Sequence, residues 1–253
     1  MKNITSVDNK IVLKAASLKE KKYREKFSLY LIEGKRAVFD ALNQGVDVDC
    51  VFIRDDDTDA ISAIKGEIPI YCVNDRIMNK ICGTVNPQSI AAVLKIKTYE
   101  LSKPNSNIVI LDGISDPGNL GTIIRTAAAC GLKEIFLCSC TDPYNPKCVR
   151  ASMGGINFVK LFQESASNII KYVKMLNYKI VCADMGGTNF FNCEIRKNNI
   201  ALVIGNEARG VSETFFSESD LSVSIPMENI ESLNAAVSAS ILMYFFKYCS
   251  NKE

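Results

Sequence analysis

The sequence predicts an α/β fold in two parts, and three observations predict it. Short runs rich in branched and aromatic residues alternate with stretches of helical period, as strands and crossover helices do in an α/β layer. Two of the runs, 108–111 (IVIL) and 200–204 (IALVI), are apolar at every position, as strands buried on both faces of a parallel sheet are. Residues 99–107 (YELSKPNSN) are polar, contain Pro104 and separate two such patterns, which makes them a linker. At 253 residues the chain is long enough for two modest domains with their own cores. The division expected is a small α/β domain over 1–98, a linker over 99–107 and a second domain over 108–253.

The first domain opens on a helical stretch over 10–26. Lys10, Lys14, Lys19, Lys21, Lys22, Arg24, Lys26, Lys35 and Arg36 face only Glu20, Glu25 and Glu33 after Asp8. Such a run forms a basic patch, although a solvated helix face is the commoner explanation of one. A strand is expected over 28–32 (SLYLI), then a helix from Gly34 to near Gly45 and a strand over 51–53. A short helix over 60–65, a strand over 68–73, a helix over 75–81 and a strand over 90–96 complete the domain. Asp55, Asp56, Asp57 and Asp59 form an acidic turn after the second strand.

In the second domain, strand 108–111 leads through a loop of capping residues (DGISDPGN) into a helix that Gly131 ends. Leu120, Ile123, Ile124, Ala127 and Ala128 share one face of that helix, and Arg125 sits at least about 60° from each of them. Gly121, near its start, permits close backbone approach. Then come a strand over 134–138, a helix near 146–153 closed by Gly154 and Gly155, a strand over 158–161, a helix over 165–176 and a strand over 179–183. Strand 200–204 runs straight into 205–212 (GNEARGVS), and loops at the carboxyl ends of parallel strands are where open α/β sheets hold ligands. This loop is neither GxGxxG nor GxxxxGK[ST], so the dinucleotide and P-loop patterns are missing.

The last informative stretch is 225–246 (IPMENIESLNAAVSASILMYFF), where a strand ends, a polar loop turns and a helix begins near Leu233. Val237, Ser240, Ile241 and Tyr244 lie on one side of that helix, with Ala235, Leu242 and Phe246 opposite. Both sides are largely apolar, which predicts burial on more than one face. Glu231, Ser232 and Asn234 gather polar groups at the mouth of the helix, beside its free backbone N–H groups, and so mark a candidate ligand site.

Composition excludes several classes of function. The chain has no His, so no His-based triad or general base exists, and acid–base work falls to Arg, Glu, Lys, Tyr, Cys or Ser. Ten Cys and an N-terminus without an apolar signal core point to free thiols in a reducing compartment, hence a cytoplasmic protein. Cys130, Cys138, Cys140 and Cys148 lack the spacing of a zinc site, so no metal is expected. The apolar run 235–246 is shorter than the roughly 20 residues that span a bilayer, so no membrane partner is expected. A net charge of +2 does not by itself announce nucleic acid; the uneven distribution is the stronger signal.

Taken together, DPGNLGTIIRTAAACG (116–131), LVIGNEARGVS (202–212) and IPMENIESLNAAVSASI (225–241) resemble the three motifs of the SpoU/TrmH family. These are S-adenosylmethionine-dependent RNA ribose 2′-O-methyltransferases of the SPOUT superfamily. Residues 21–38 (KKYREKFSLYLIEGKRAV) resemble the small substrate-binding domain that many members carry. The resemblance implies a parallel sheet with helices on both faces and a trefoil knot, a homodimer through the C-terminal domain, and ribosomal RNA as substrate ahead of transfer RNA. Carried over by position, the catalytic set is Asn119, Arg125, Glu207, Ser232 and Asn234. The cofactor pocket falls on Ile204, Gly205, Asn206, Ile225, Met227 and Leu233, and RNA contacts on Lys21, Lys22, Arg24, Arg36 and Arg125. The loop between Ile225 and Ser232 is one residue shorter than usual and lacks the Gly of many members. Arg125 is a phosphate clamp by ordinary Arg chemistry; the family's further suggestion, help in deprotonating the hydroxyl, stays open at this point. A non-catalytic RNA-binding protein keeping the fold is the alternative, and a doubly wound nucleotide enzyme is a third reading.

Overall fold

The computed structural model describes residues 1–64, 67–84, 86–193 and 199–249. Lys65, at the end of the helix expected over 60–65, lies outside the described residues. In order, the elements are β1 (Lys2–Ile4), α1 (Lys10–Ser17), α2 (Lys21–Phe27), β2 (Leu29–Glu33), α3 (Lys35–Asn43), β3 (Val48–Arg54), α4 (Thr58–Ala63), β4 (Ile70–Val73), α5 (Asp75–Cys82) and β5 (Ile90–Lys95). Then follow β6 (Ile108–Asp112), α6 (Pro117–Cys130), β7 (Glu134–Cys138), α7 (Pro146–Ala151), β8 (Lys160–Gln163), α8 (Ala166–Met175), β9 (Lys179–Asn189), β10 (Ile200–Ile204), α9 (Glu213–Phe216), β11 (Leu221–Ser224) and α10 (Ala235–Tyr244). They form two compact units: Met1–Lys97 with Tyr144–Asn157, and Thr98–Pro143 with Phe158–Glu253.

The first unit is built on a mixed sheet of order β1-β4-β3-β5-β2. Alternation along its strands sends Leu29, Leu31, Phe52, Ala91 and Val93 to one face, where Val12 and Ala15 of α1 and Ile77, Met78 and Ile81 of α5 cover them. Tyr30, Ile32, Val51, Ile53 and Leu94 alternate to the other face and are buried too; α3 packs on β2 and β5, and α7 packs on β2. The segment 144–157, which the sequence counts with the second domain, is thus part of this unit: Tyr144 packs its ring on Tyr30, and the Tyr30 hydroxyl donates to Asn157. β1 is missed by pattern reading because a three-residue edge strand with only Ile4 buried leaves no period to read.

The basic arm is two helices rather than one. Leu18 is buried and Glu20 is extended, and the carbonyls freed at that break are met by the Arg24 guanidinium, which donates to Leu18 O at 2.7 Å and Lys19 O at 2.8 Å. Arg24 is 3 % exposed. It is therefore a buried staple between α1 and α2, and its expected role in RNA binding is corrected on that ground.

The second unit carries a six-stranded sheet, β11-β9-β10-β6-β7-β8, with every pair parallel. One face (Ile108, Ile110, Phe136, Ile180, Ala201, Val203) packs on Ile169 and Val173 of α8 and on Phe215 of α9. On the other side α10 packs on β10 and on α6, whose Leu120, Ile123, Ile124 and Ala127 are buried. The expected linker is packed on this unit. Asn107 is buried, accepts from Ile200 N at 3.1 Å and donates to Phe246 O at 3.4 Å, while Tyr172 and Tyr178 donate to Ser102 O and Ser106 O.

Two elements of this unit differ from expectation in ways that shape the site. β9 runs on to Asn189 instead of ending near 183, because its pairing with β11 skips from Cys182↔Ser222 to Thr188↔Val223. The bulged residues 183–187 read as a turn in sequence. At Gly187 a Cβ would stand 2.6 Å from the backbone of Ser222 and Val223, so only glycine lets the strands close again after the bulge. In α10, Ala235, Ala236, Ala239, Leu242 and Met243 are buried, but Val237 is 46 % and Tyr244 47 % exposed. Burial of that side is incomplete: among the described residues Thr126 of α6 reaches Ser240, while Val237 and Tyr244 stay open.

Candidate functional site

The chain lays down β6, β7 and β8 in one direction and then returns to place β10 on the other side of β6. Loops leaving β6 and β10 at their carboxyl ends consequently part in opposite directions, which opens a crevice. Both loops are pinned there. Asn206 Nδ2 donates to Gly113 O at 2.9 Å, and the buried Asp112 accepts from Ser212 N at 2.7 Å. Within the second loop, Asn206 and Gly210 exchange backbone hydrogen bonds of 3.0 and 2.9 Å. That closure is so tight that a Cβ on Gly205 would lie 2.1 Å from Gly210 C. Glycine is obligatory at 205, and the ring of peptide groups it permits faces the crevice.

A chain of side-chain hydrogen bonds crosses the crevice mouth, and its direction is set at one end. Asn234 caps α10, so its Oδ1 must accept from Ala236 N (2.9 Å) and Val237 N (3.3 Å). This turns its Nδ2 outward, where it donates to Asn119 Oδ1 at 2.9 Å. Asn119, fixed on the first turn of α6 by the Asp116 cap, then has only its own Nδ2 left, and that group donates to Glu207 Oε1. The positive end of α10 is thus relayed through two amides to one oxygen of a carboxylate. Glu207 Oε2 has no partner among the described residues.

Behind this relay lies a cavity of about 270 Å³. Its walls come from the β9 bulge (Ala183, Asp184, Met185), the β10 loop and the 223–242 segment. Ile204, Gly205, Asn206, Ile225, Met227 and Leu233, the residues expected to hold a cofactor, all line it, as do Glu207 and Ser232. The apolar walls and free peptide edges suit an adenine ring, and the carboxylates of Asp184 and Glu207 complement the cationic part of a sulfonium amino acid. Asp184, Met185 and Arg209 also line the cavity and escape sequence reasoning. The only signal for the first two is the adjacent Gly186–Gly187 pair, which marks the bulge. Burial pushes the Cys140 and Cys182 thiols up to about 12, which leaves neither as a nucleophile near neutral pH.

Arg125 is placed differently. Six residues beyond Asn119 on α6 it is about 9 Å along the axis and roughly 120° around it, and it does not line the cavity. It is exposed, with no ion pair or side-chain hydrogen bond among the described residues. Its neighbour Thr126 faces α10, with its hydroxyl 3.0 Å from Ser240 Oγ. Of the expected catalytic set, therefore, Asn119, Glu207, Ser232 and Asn234 come together, and Arg125 stands apart on an exposed side of α6. Of the expected RNA contacts, Lys21, Lys22 and Arg36 are exposed and loosely paired with Glu25, Glu20 and Asp40.

Residues 106–244 match the model of the SpoU rRNA Methylase family, and residues 9–92 that of the MRM3-like substrate binding domain. The chain belongs to the SpoU rRNA methylase family. Among its relatives is the 23S rRNA (guanosine(2553)-2′-O)-methyltransferase RlmP of Bacillus subtilis, 30 % identical over 98 % of this chain and 100 % of that protein. An AdoMet-bound rRNA methyltransferase from Sinorhizobium meliloti superposes with a TM-score of 0.88 at 26 % identity, covering 99 % of this chain and 98 % of that one. The fold is also that of the SpoU methyltransferase AviRb from Streptomyces viridochromogenes, with a TM-score of 0.83 at 24 % identity over 94 % and 96 % of the two chains. The SpoU match covers the cavity, the amide relay and Arg125 alike.

Proposed function

We propose that this SpoU-family protein transfers the methyl group of S-adenosylmethionine to a ribose 2′-hydroxyl of ribosomal RNA, and that it does so in the cytoplasm. The observation that carries the proposal is the relay from α10 through Asn234 and Asn119 to Glu207, set at the mouth of a cavity lined by all six expected cofactor residues. The cofactor supplies an electrophilic methyl group. The chain's own task is to bring one hydroxyl into line with it, and positioning of that kind accounts for a large part of such a barrier. Glu207 Oε2 and Ser232 are the groups placed to orient the hydroxyl. Arg125, whose planar fork matches a phosphate with two hydrogen bonds, clamps the RNA backbone next to the target ribose.

The exposed Val237, Tyr244 and Tyr248, together with the uncovered side of α6 that carries Arg125, support a homodimer formed through this unit. The strand order, in which the chain returns across β6, supports the trefoil knot of the family. Among the described residues no group of three His, Cys, Asp or Glu could hold a metal ion, and no helix is long and apolar enough to cross a membrane. The reading of the site needs neither. Calorimetry with S-adenosylmethionine, followed by mapping of 2′-O-methylated positions in ribosomal and transfer RNA from cells with and without the gene, tests the proposal. The guanosine on which the B. subtilis relative is named is the first position to map. No binding at millimolar cofactor by folded protein, or an unchanged methylation map, would refute it.

A further inference from the structure

The first unit contains a cavity that the proposed reaction does not use. It has a volume of about 340 Å³, within the range of small-ligand sites, and lies between β2, α3, α7 and the residues Thr84, Asn86 and Gln88. Its apolar walls include Leu31, Ile32, Ala37 and Val149, and Arg36 and Arg150 line it as well. Glu33, the last residue of β2, supplies its carboxylate. Glu33 Oε1 accepts from Gln88 N at 2.8 Å and from Thr84 Oγ1 at 3.3 Å, which occupies both lone pairs of that oxygen. Oε2 has no partner among the described residues. The wall beside it is tight, since a Cβ on Gly34 would lie 2.7 Å from Gln88 Oε1; Gly34 has φ 106°, where a side chain is strained in any case.

We propose that this cavity takes one unpaired nucleobase of the RNA substrate, and that Glu33 selects a base carrying an exocyclic amino group. The inference rests on the RNA-methyltransferase reading and adds a second recognition site to it. Apolar walls accept the flat face of a splayed-out base, as sequence-reading RNA modules do with single strands. A fixed carboxylate oxygen with no donor of its own accepts from the amino group of cytosine or adenine, and it meets the O4 acceptor of uracil with lone pair against lone pair. Arg36 and Arg150 are exposed, and Arg150 has no carboxylate partner among the described residues. They are placed to hold the phosphates on either side of the base. A largely apolar slot with the Glu33 carboxylate inside, the Asn86 and Gln88 amides on its wall and two cations at its sides complements a nucleotide within a strand.

Fluorescence anisotropy of the full chain with labelled oligo(C) and oligo(U) octamers at fixed salt reads this directly, because the two bases are alike in size and cytosine presents an amino group where uracil presents the O4 acceptor. The expected result is about tenfold tighter binding of oligo(C), the factor for one hydrogen bond to a charged group. Glu33→Gln keeps a carbonyl for Gln88 N and turns an amide donor toward the base, so the preference is expected to move to oligo(U). Arg150→Ala weakens both oligomers alike. Ala37→Leu narrows the cavity without touching Glu33 and is expected to erase the preference, which keeps the idea open to test if Glu33→Gln lowers the melting temperature. Equal affinity of the wild type for the two oligomers overturns the base site, as does a preference that survives both variants. Neither outcome touches methyl transfer to ribosomal RNA, which is measured separately and whose absence would instead refute the catalytic reading.

Discussion

Two helices of this protein carry an arginine at a position that sequence reasoning assigns to RNA, and they treat it in opposite ways. On α2, amid Lys21, Lys22 and Lys26, Arg24 is 3 % exposed and bound to the carbonyls of Leu18 and Lys19. On α6, with no other basic residue in the helix, Arg125 is exposed and unpaired among the described residues. Charge density therefore points to an arginine that the fold has already taken up. Desolvating a guanidinium is costly unless its donors are matched, so a buried arginine is committed to the fold, whereas an exposed one remains available to a phosphate.

The comparison fails if Arg125 matters to folding or Arg24 to chemistry. Arg125→Ala is expected to lower single-turnover methyl transfer by about 10²-fold or more, the scale for losing one transition-state donor, with cofactor affinity and melting temperature unchanged. Arg125→Lys should stay badly impaired, because a point charge does not replace a two-bond fork. Near wild-type transfer by Arg125→Ala would pass the task to Glu207 or Ser232. Arg24→Met is expected to cost roughly 3 kcal/mol in denaturant unfolding, since two freed carbonyls lose their donors. The salt dependence of RNA binding by the protein that remains folded should not change, and a changed slope would return Arg24 to the interface.

Smaller effects sharpen the contrast. Asn234→Ala removes the α10 cap, worth about 1 kcal/mol, and also the donor that orients Asn119. Transfer should therefore fall further than melting suggests, and parallel losses would show that the relay serves only stability. The double change Lys21→Ala and Lys22→Ala is expected to move stability by less than about 0.5 kcal/mol. It should reduce the log–log salt slope by at most about 1.8 on duplex RNA, roughly 0.9 per phosphate contact. An unchanged slope would make these lysines a solvated face. The smallest effect lies on the acid side. The Lys35 ammonium, with help from Ser89, holds the Asp57 carboxyl at about 2, against an ordinary 3.8. Because the folded value is the lower one, this contribution is complete above about pH 4 and is lost as pH falls toward 2. Asp57→Asn should flatten the acid limb of a pH–stability curve over that window.

Much of the site was legible in the residues, and the reason is local. The Gly205–Ser212 loop follows an unbroken apolar strand, Asn234 precedes an apolar helix, and the capping run before Leu120 announces a helix start; each is a short-range signal with a period or a turn residue to read. The β9 bulge was illegible because Asp184, Met185, Gly186 and Gly187 have the composition of a loop. Only the pairing of β9 with β11 on both sides of them makes them part of a strand. The packing of the 144–157 segment with the first unit is illegible for a similar reason. Nothing in its sequence tells which sheet its apolar residues cover, and that choice is made by contact with Tyr30 and β2.

Sequence by itself determined the α/β class, the order along the chain of every strand but β1, the capped helix starts and the chemical types available to a site without histidine. These follow from period, propensity and composition, which act over a few residues. Tertiary structure alone decided the lateral order that sets β10 beside β6, the amide relay from Asn234 to Glu207, the burial of Arg24 and the isolation of Arg125. Each of these depends on which distant segments share space, and so on whether a charge loses its water or keeps it.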